Sequence, residues 1–581
     1  MADLLISDLS GALPAEAIAD RPMRNRWYAL PYETSACRGV LLRSFPDAPG
    51  PRVRIDFEAR GHFAIHLGIH YAMIDRDDLA VRFGAVNEFA RLRIRLAGDD
   101  AFSLVLPEEQ NVKSDPDPTR EVRQNAITEV FWRNADLEGA SHVEIEPGVD
   151  RHEPCPGNPA CLAWIRLEPL ADARWRLATS LEPRPDTRRN TAAVSVADPS
   201  GVEGPGPIEA ALATSDIDRI YADMCRFDVC RFPTDVGLVA GDVEWDSGNF
   251  EFNACRALRD QIDAGRDPLA EIVRVGARHG VAVYLAIRMC LQRDPPQHLG
   301  LAANNPLLEN RHWWIRDRRG DAYPHPALAV PEVRRRLTDL FRDVVRRYDV
   351  AGICIHGNRG WPWVGYETES ARLFEAEHGT PIRDVDETDS RFVEHRCRVM
   401  THFIQEVRQT IDDVGRERGR RFRLAIDAMN CIENNRGQGL DVVEWANAGL
   451  IDELTINACH WSARPVDREH PEPGFVRTLR QAIRDPHFSL RAHLWPRFMN
   501  PRKYLRMARA MLDAGADGIA MWDLGHRLPR LSEWAVQRHL GHVDLYDDIE
   551  NECDRYWRSV PLLSLDGMAM TNPQYSAASA G

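Results

Sequence analysis

Two aspartates close apolar runs in this chain, Asp427 in "FRLAID" and Asp523 in "GIAMWD". Cleavage of a glycosidic bond uses two carboxyl groups flanking it, about 5–5.5 Å apart for a nucleophile and roughly 6.5–9.5 Å apart when a water must fit between them. A carboxyl ending an apolar run is desolvated, so Asp427 is expected to have a raised pKa and to suit a general acid. Asp523 follows Trp522, whose ring is a natural platform for a sugar. The competing reading makes each carboxylate a helix cap or the partner of an arginine.

Other residues of these runs could hold a substrate. Arg231 and Arg288 could grip a carboxylate with two parallel hydrogen bonds, which would make the ligand an acidic sugar, or they could pair with Asp235 and Asp427. "RHWWIRDRRGDAYPHP" and "GWPWVGYETE" carry Trp313, Trp314, Trp361, Trp363 and Tyr366 in long loops, where an indole either stacks on a sugar or packs beneath its own loop. Glu367 and Glu369 are reserve acids in the second loop. His356, His460 and His493, joined by Asp427 or Asp523, form an alternative set that could bind a divalent metal and activate water. Neither HxH nor HExxH spacing is present among them, so no metal and no cofactor is expected. Cys155 and Cys161 in "CPGNPAC" have no second pair to complete a zinc site.

These residues need elements to position them. From about residue 191, amphipathic helices alternate with apolar strands. "DPLAEIVRVGARHG" has Asp267 as cap, Pro268 in the first turn, Leu269, Ile272, Val273 and Ala277 on one face, and Gly280 at the stop. "PEVRRRLTDLFRDVVRRY" and "NPRKYLRMARAMLDAGADG" repeat the scheme. The strands are read at 192–198, 228–235, 281–288, 351–357, 422–427, 452–457, 488–495 and 518–523. Eight such units predict a (β/α)8 TIM barrel, with function at the C-terminal ends of its strands. Those ends carry Asp198; Arg231 and Asp235; Arg288; His356, Asn358 and Arg359; Asp427 and Asn430; Asn457 and His460; His493, Trp495 and Arg497; and Trp522 with Asp523. A polar, concave mouth for hydroxyl-rich ligands follows.

The first part of the chain reads differently. "PRVRIDFEARGHFAIHLGIH", "EFARLRIRLAGDDAFSLVLP", "ITEVFWRNADLEGASHVEIEP" and "ACLAWIRLEPL" alternate apolar and polar residues between turn signals, which predicts an antiparallel β-sandwich. The fold class is therefore α/β, a (β/α)8 TIM barrel preceded by an antiparallel β-sandwich domain. The expected boundaries are 1–185 for the sandwich, 190–548 for the barrel, and 549–581 for a C-terminal extension with a flexible tail.

"DPLAEIVRVGARHGVAVYLAIRM", "PALAVPEVRRRLTDLFRDVVRRYDVAGICIHGN" and "ARAMLDAGADGIAMWD", with "LAWIRLEPL" closing the sandwich, make the chain resemble the glycosyl-hydrolase-like proteins of the family-10-like barrel group over roughly residues 190 to 545. The resemblance implies a glycan substrate and a barrel with an N-terminal sandwich. Members of the group carry an Asp after the fourth strand in a pattern like "DGIHFDD". Here the same place reads "AGICIHGN". The expected assignment is thus Asp427 and Asp523 as the catalytic pair. Arg231, Asp235, Arg288, Trp314, His356, Arg359, Asn457, His460, His493, Trp495 and Trp522 are expected to bind substrate. A barrel that binds glycan without cleaving it is the third alternative.

Composition sets the outer limits. A net charge of -15 spread along 581 residues, with arginines among the acids, offers no footprint for nucleic acid. The acidic start "MADLLISDLSG" is unlike a signal peptide, and no stretch is apolar enough to span a bilayer. A cytoplasmic protein with a carbohydrate substrate and no membrane partner is expected, and a homo-oligomer is compatible with this.

Overall fold

Eight strands pair side by side in parallel in a computed structural model of the chain. They are β1 (Asn190–Ser195), β2 (Ile217–Arg226), β3 (Ala282–Arg288), β4 (Gly352–His356), β5 (Arg423–Met429), β6 (Glu453–Asn457), β7 (Ser489–His493) and β8 (Gly518–Met521). Each pairs with the next, and β1 pairs with both β2 and β8, so the sheet closes on itself. The structure describes residues 2–45, 48–70, 91–105, 125–148, 160–171, 190–195, 206–241, 250–289, 305–457, 472–494, 499–522 and 524–570. Asp523, His460 and Trp495 lie outside the described residues, as do Asp198, Arg497, Cys155 and the tail from 571.

The helices form where their signals stand. Asp267 caps Pro268–Arg278 by accepting the Ala270 N–H at 3.0 Å, and Asn500 caps Pro501–Asp513 in the same way. Pro331–Arg347 buries Val333, Leu337, Leu340, Phe341, Val344 and Val345, the stripe its spacing predicts. In Pro268–Arg278 the buried face turns out to be Leu269, Ile272 and Val275, while Ala277 is exposed.

The second strand corrects the sequence reading. "DVCRFPTD" (228–235) is not a barrel strand. The chain turns at Phe227, whose φ is 52°, and Val229–Cys230 runs back antiparallel to Cys225–Arg226. Val229, Cys230 and Phe232 are buried under this return, which gave the segment its strand-like apolar pattern. The strand itself is "IDRIYADMCR", whose Arg219, Tyr221 and Asp223 alternate toward the inside of the closed sheet.

That interior is polar at two levels. At the start of β6, Glu453 accepts hydrogen bonds from the Tyr221 hydroxyl at 3.2 Å, the Tyr284 hydroxyl at 2.6 Å and Arg423 at 3.0 Å, and forms an ion pair with Arg219 at 2.5 Å. Arg491 of β7 pairs with Asp218 at 2.9 Å nearby. Above this floor lies a small apolar layer of Tyr221, Tyr284, Ala286, Cys354 and Ala425, topped by Trp522.

Trp314–Arg316 and Ala322–Pro326 pair as a small two-stranded sheet, and most of the other described strands build two larger ones. One is large and mostly antiparallel, in the order Leu4–Ile6, Trp164–Pro169, His62–His70, Ala126–Asp136, Trp557–Leu565, Trp27–Thr34, Arg38–Ser44, Ala160–Leu162. The other pairs Val53–Asp56, His142–Gly148, Arg91–Leu96 and Ser103–Val105. Residues of both share one core cluster, among them Leu42, Ile65, Leu167, Ile94 and Val143. The segment from 549 onward contributes more than an extension: Trp557–Leu565 is an interior strand of the large sheet, between Ala126–Asp136 and Trp27–Thr34. Glu129 ties these strands together, accepting from the Trp164 indole at 2.7 Å, from Arg166 at 2.7 Å and from Arg558 at 2.7 Å. Burial opposes its charge, but these arginines outweigh burial and bring its pKa down to about 2. Cys161 is buried in the same sheet, and burial pushes its thiol up, away from the thiolate that zinc requires.

Candidate active site

β4 and β5 run in register, which places the side chains of His356 and Asp427 at one level on the inner face. His356 Nδ1 lies 3.2 Å from Asp427 Oδ2, and His493 Nε2, arriving from β7, lies 3.4 Å from the same oxygen. The His493 contact has ion-pair distance without hydrogen-bond geometry. Asp427 Oδ1, His356 Nε2 and His493 Nδ1 are buried and make no hydrogen bond among the described residues. The Trp522 ring covers the cluster, 4.6 Å from the His356 ring and 5.9 Å from that of His493.

Asp427 therefore departs from the expected general acid. Burial alone would raise its pKa, as the run "LAID" suggests, but His493 and His356 outweigh burial and hold the carboxyl below its ordinary value. An anionic carboxylate is a base or a nucleophile. Sequence alone could not show that the next inward residues on strands four and seven are imidazoles aimed at one oxygen.

Asp223 of β2 is a buried acid beside this cluster that the sequence reading missed. It is fully buried, pairs with Arg288 at 2.6 Å and with Arg226 at 3.3 Å, and is held far below the usual carboxylate range against burial by the charges of Arg288, Arg226, His356 and Arg231. Its signal was a lone acid inside "IYADMC", hidden by misplacing the second strand. Arg288 thus neutralises Asp223 rather than Asp427 or Asp235. The guanidinium of Arg288 also lies 5.5 Å from the Trp522 ring, and that of Arg359 lies 4.7 Å from it.

Other expected residues stand as follows. Arg231 is buried beside Asp223, whereas Asp235 is exposed in a bend. Asn457 ends β6 buried in the sheet interior, and Asn358 is buried past β4. Trp314 packs against the helix-and-strand core, gives its indole N–H to the Leu307 carbonyl, and carries Arg311 over its ring at 5.5 Å. Trp363 and Tyr366 are buried, and Trp313 and Trp361 are half-buried against the same core as Trp314. Among the described residues no group of three or more His, Cys, Asp or Glu side chains is arranged to hold a metal ion.

The reserve acids part company. Glu369 pairs with Arg372 at 2.6 Å on the surface, and that hydrogen bond holds its pKa down. Glu367 is buried at the start of the helix Thr368–His378; its Oε2 accepts the Gly365 N–H at 3.0 Å and its Oε1 has no partner. Burial pushes Glu367 up to about 7. Its neighbours are Gly365, Arg316 and Arg396, not the Asp427 cluster. A carboxyl raised on folding favours the folded state fully below its ordinary pKa and loses that contribution as pH rises through its folded pKa. Glu367→Gln is therefore expected to flatten the fall in stability between pH 4.5 and about 7. Linkage of about 1.4 kcal/mol per pH unit bounds the effect at roughly 3 kcal/mol. Urea unfolding at pH 5 and pH 8 measures it, and equal pH dependence in both proteins would refute it.

Residues 238–470 match the model of the family described as Glycosyl hydrolase-like 10, which bears out the resemblance read from the helices and strands. Similar solved structures include alpha-L-fucosidase isoenzyme 2 from Paenibacillus thiaminolyticus, at 13% identity over 64% of this chain and 50% of that one, with a TM-score of 0.38. The catalytic domain of psychrophilic chitinase B from Arthrobacter TAD20 is 11% identical over 63% of this chain and 98% of that one, with a TM-score of 0.37. A polyextremophilic beta-galactosidase from the Antarctic haloarchaeon Halorubrum lacusprofundi is 13% identical over 62% of this chain and 58% of that one, with a TM-score of 0.39. The chain thus spans about half the length of the fucosidase. No curated protein matches it. Among the described residues no helix is long and apolar enough to cross a membrane.

Proposed function

We propose that the chain is a glycoside hydrolase acting at the C-terminal mouth of a (β/α)8 barrel, with residues 190–548 as the barrel and 1–185, completed by the strand Trp557–Leu565, as a β-sandwich. The observation that carries this reading is Asp427, a buried carboxylate kept anionic by two imidazoles under an indole ring, with one oxygen unengaged. The glycosyl-hydrolase-like family match over 238–470 supports the substrate class. Asp427 serves as the anionic partner, a base or nucleophile, and Asp523, one residue past Trp522, serves as the proton donor. Trp522 supplies the ring platform, and Arg359, His356, His493 and Asn457 orient hydroxyls. Arg288 already pairs with Asp223, so an acidic sugar would have to share it.

One observation favours a second reading, a glycan-binding barrel without turnover. The fourth strand carries His356 instead of an acid, and that imidazole occupies one oxygen of Asp427. Release of reducing sugar or aryl leaving group from a panel of polysaccharides and aryl glycosides tests the proposal. Binding of a glycan with no turnover, in wild type and at any pH from 4 to 9, would overturn hydrolysis and leave the binding barrel.

A further inference from the structure

A cavity of about 280 Å³ lies between the large antiparallel sheet and residues 538–556, away from the Asp427 cluster. Its walls are built around Arg538, which is 7% exposed. The Arg538 side chain forms no ion pair among the described residues, and its Nε is buried without an acceptor. A buried guanidinium without an anion is costly, and its planar fork matches a carboxylate. Burial pulls its pKa down only to about 10, so it remains cationic at neutral pH.

Two imidazoles face the same space. His66 is 2% exposed with both ring nitrogens lacking hydrogen bonds, and His539 is 6% exposed with Nδ1 lacking one. Burial brings His66 down to about 3 and keeps His539 well below its ordinary value, so both are neutral at pH 7. A neutral imidazole offers one donor and one acceptor, the pair a sugar hydroxyl can satisfy. Phe131 and Tyr556, with ring centroids 4.9 Å apart and planes tilted by 32°, line an apolar side of the cavity, and the Arg538 guanidinium lies 5.7 Å from the Phe131 ring. Asn134 and Asn551 add amides, and Asp548 and Glu552 lie toward the outside, where a carboxylate accepts from hydroxyls.

The geometry points to a binding site for one hexuronic acid ring, with the sugar carboxylate on Arg538, hydroxyls on His66 and His539, and the apolar part of the ring against the side that Phe131 and Tyr556 line. The volume is near the lower bound of about 300 Å³ for ligand sites, which suits one ring rather than a chain. This site is independent of the hydrolysis proposed at the barrel mouth.

Isothermal titration of the full chain with sodium glucuronate, glucose and inorganic phosphate tests it. Glucuronate is expected to bind at least tenfold more tightly than glucose or phosphate. Arg538→Gln should weaken it at least tenfold. Asn551→Trp, on the exposed side of its helix, should block the cavity to the same degree without touching the core, and it decides the matter if Arg538→Gln does not fold. Phosphate binding as tightly as glucuronate would reduce the site to a general anion site and overturn the sugar assignment. Glucuronate binding that survives Asn551→Trp would place the ligand elsewhere, such as the barrel mouth, and overturn the proposal.

Discussion

Asp427→Asn is expected to lower kcat by at least about 10²–10⁴-fold, the range that acid or base assistance contributes, while leaving the chain folded. Asn keeps the shape of Asp and can still accept from His356 Nδ1 or His493 Nε2, so the packing under Trp522 survives. What disappears is the negative charge. KM should change far less than kcat, because the loss falls on the transition state rather than on ground-state stacking. Asp523→Asn should produce a loss of similar size, and the double variant should lose much less than the product of the two, since both residues act on one bond. The pH profile gives a separate check. Asp427 is held below its ordinary value, so as pH falls its base form persists to below about pH 3.8. An acidic limb near pH 6 or 7 would therefore belong to another group. Full turnover in Asp427→Asn would remove it from the mechanism and make the His356–Asp427–His493 cluster a structural one.

The arrangement of elements was largely readable because it rests on local signals. Asp267 with Pro268, Asn500 with Pro501, and the stripe from Val333 to Val345 each fix a helix by capping or by 3.6-residue spacing, and seven of the eight strands lie within a few residues of their apolar runs. The second strand failed because a hairpin return can bury Val229, Cys230 and Phe232 as completely as a strand does. The charges of the site were harder to read than its positions. Whether a buried acid is raised or lowered depends on residues far away in sequence, and Asp427 meets His356 from 71 positions upstream and His493 from further along. Glu367 shows the opposite case, a buried acid with no such partner, and there the simple desolvation argument holds. Trp314 illustrates a third limit: its sequence context does not reveal that the Leu307 carbonyl takes its indole N–H.

Glu453 governs the stability of the same interior from the opposite end. It is 1% exposed, with two tyrosine hydroxyls and two arginines on its carboxylate. These contacts outweigh burial and hold its carboxyl below the ordinary value. Glu453→Leu removes the anion and leaves Arg219, whose side chain is 12% exposed, with Asp218 at 3.2 Å as its remaining carboxylate. Breaking a buried pair from one side costs about 3–5 kcal/mol, and the Asp218 contact that Arg219 keeps sets the expected loss at the lower end of that range. Urea unfolding of Glu453→Leu at pH 7 should show a loss of that size. Tyr284→Phe, which deletes one hydrogen bond to a charged group, should cost only about 1.5–3 kcal/mol. The sign with pH follows from the lowered carboxyl: its contribution is complete above its ordinary pKa of 4.5 and fades as pH falls through the folded value. Wild type and Glu453→Leu should therefore converge in stability under acid conditions. A loss below 1 kcal/mol at neutral pH, or a difference that persists unchanged at pH 3, would show that Glu453 does not hold the floor of the closed sheet through its charge.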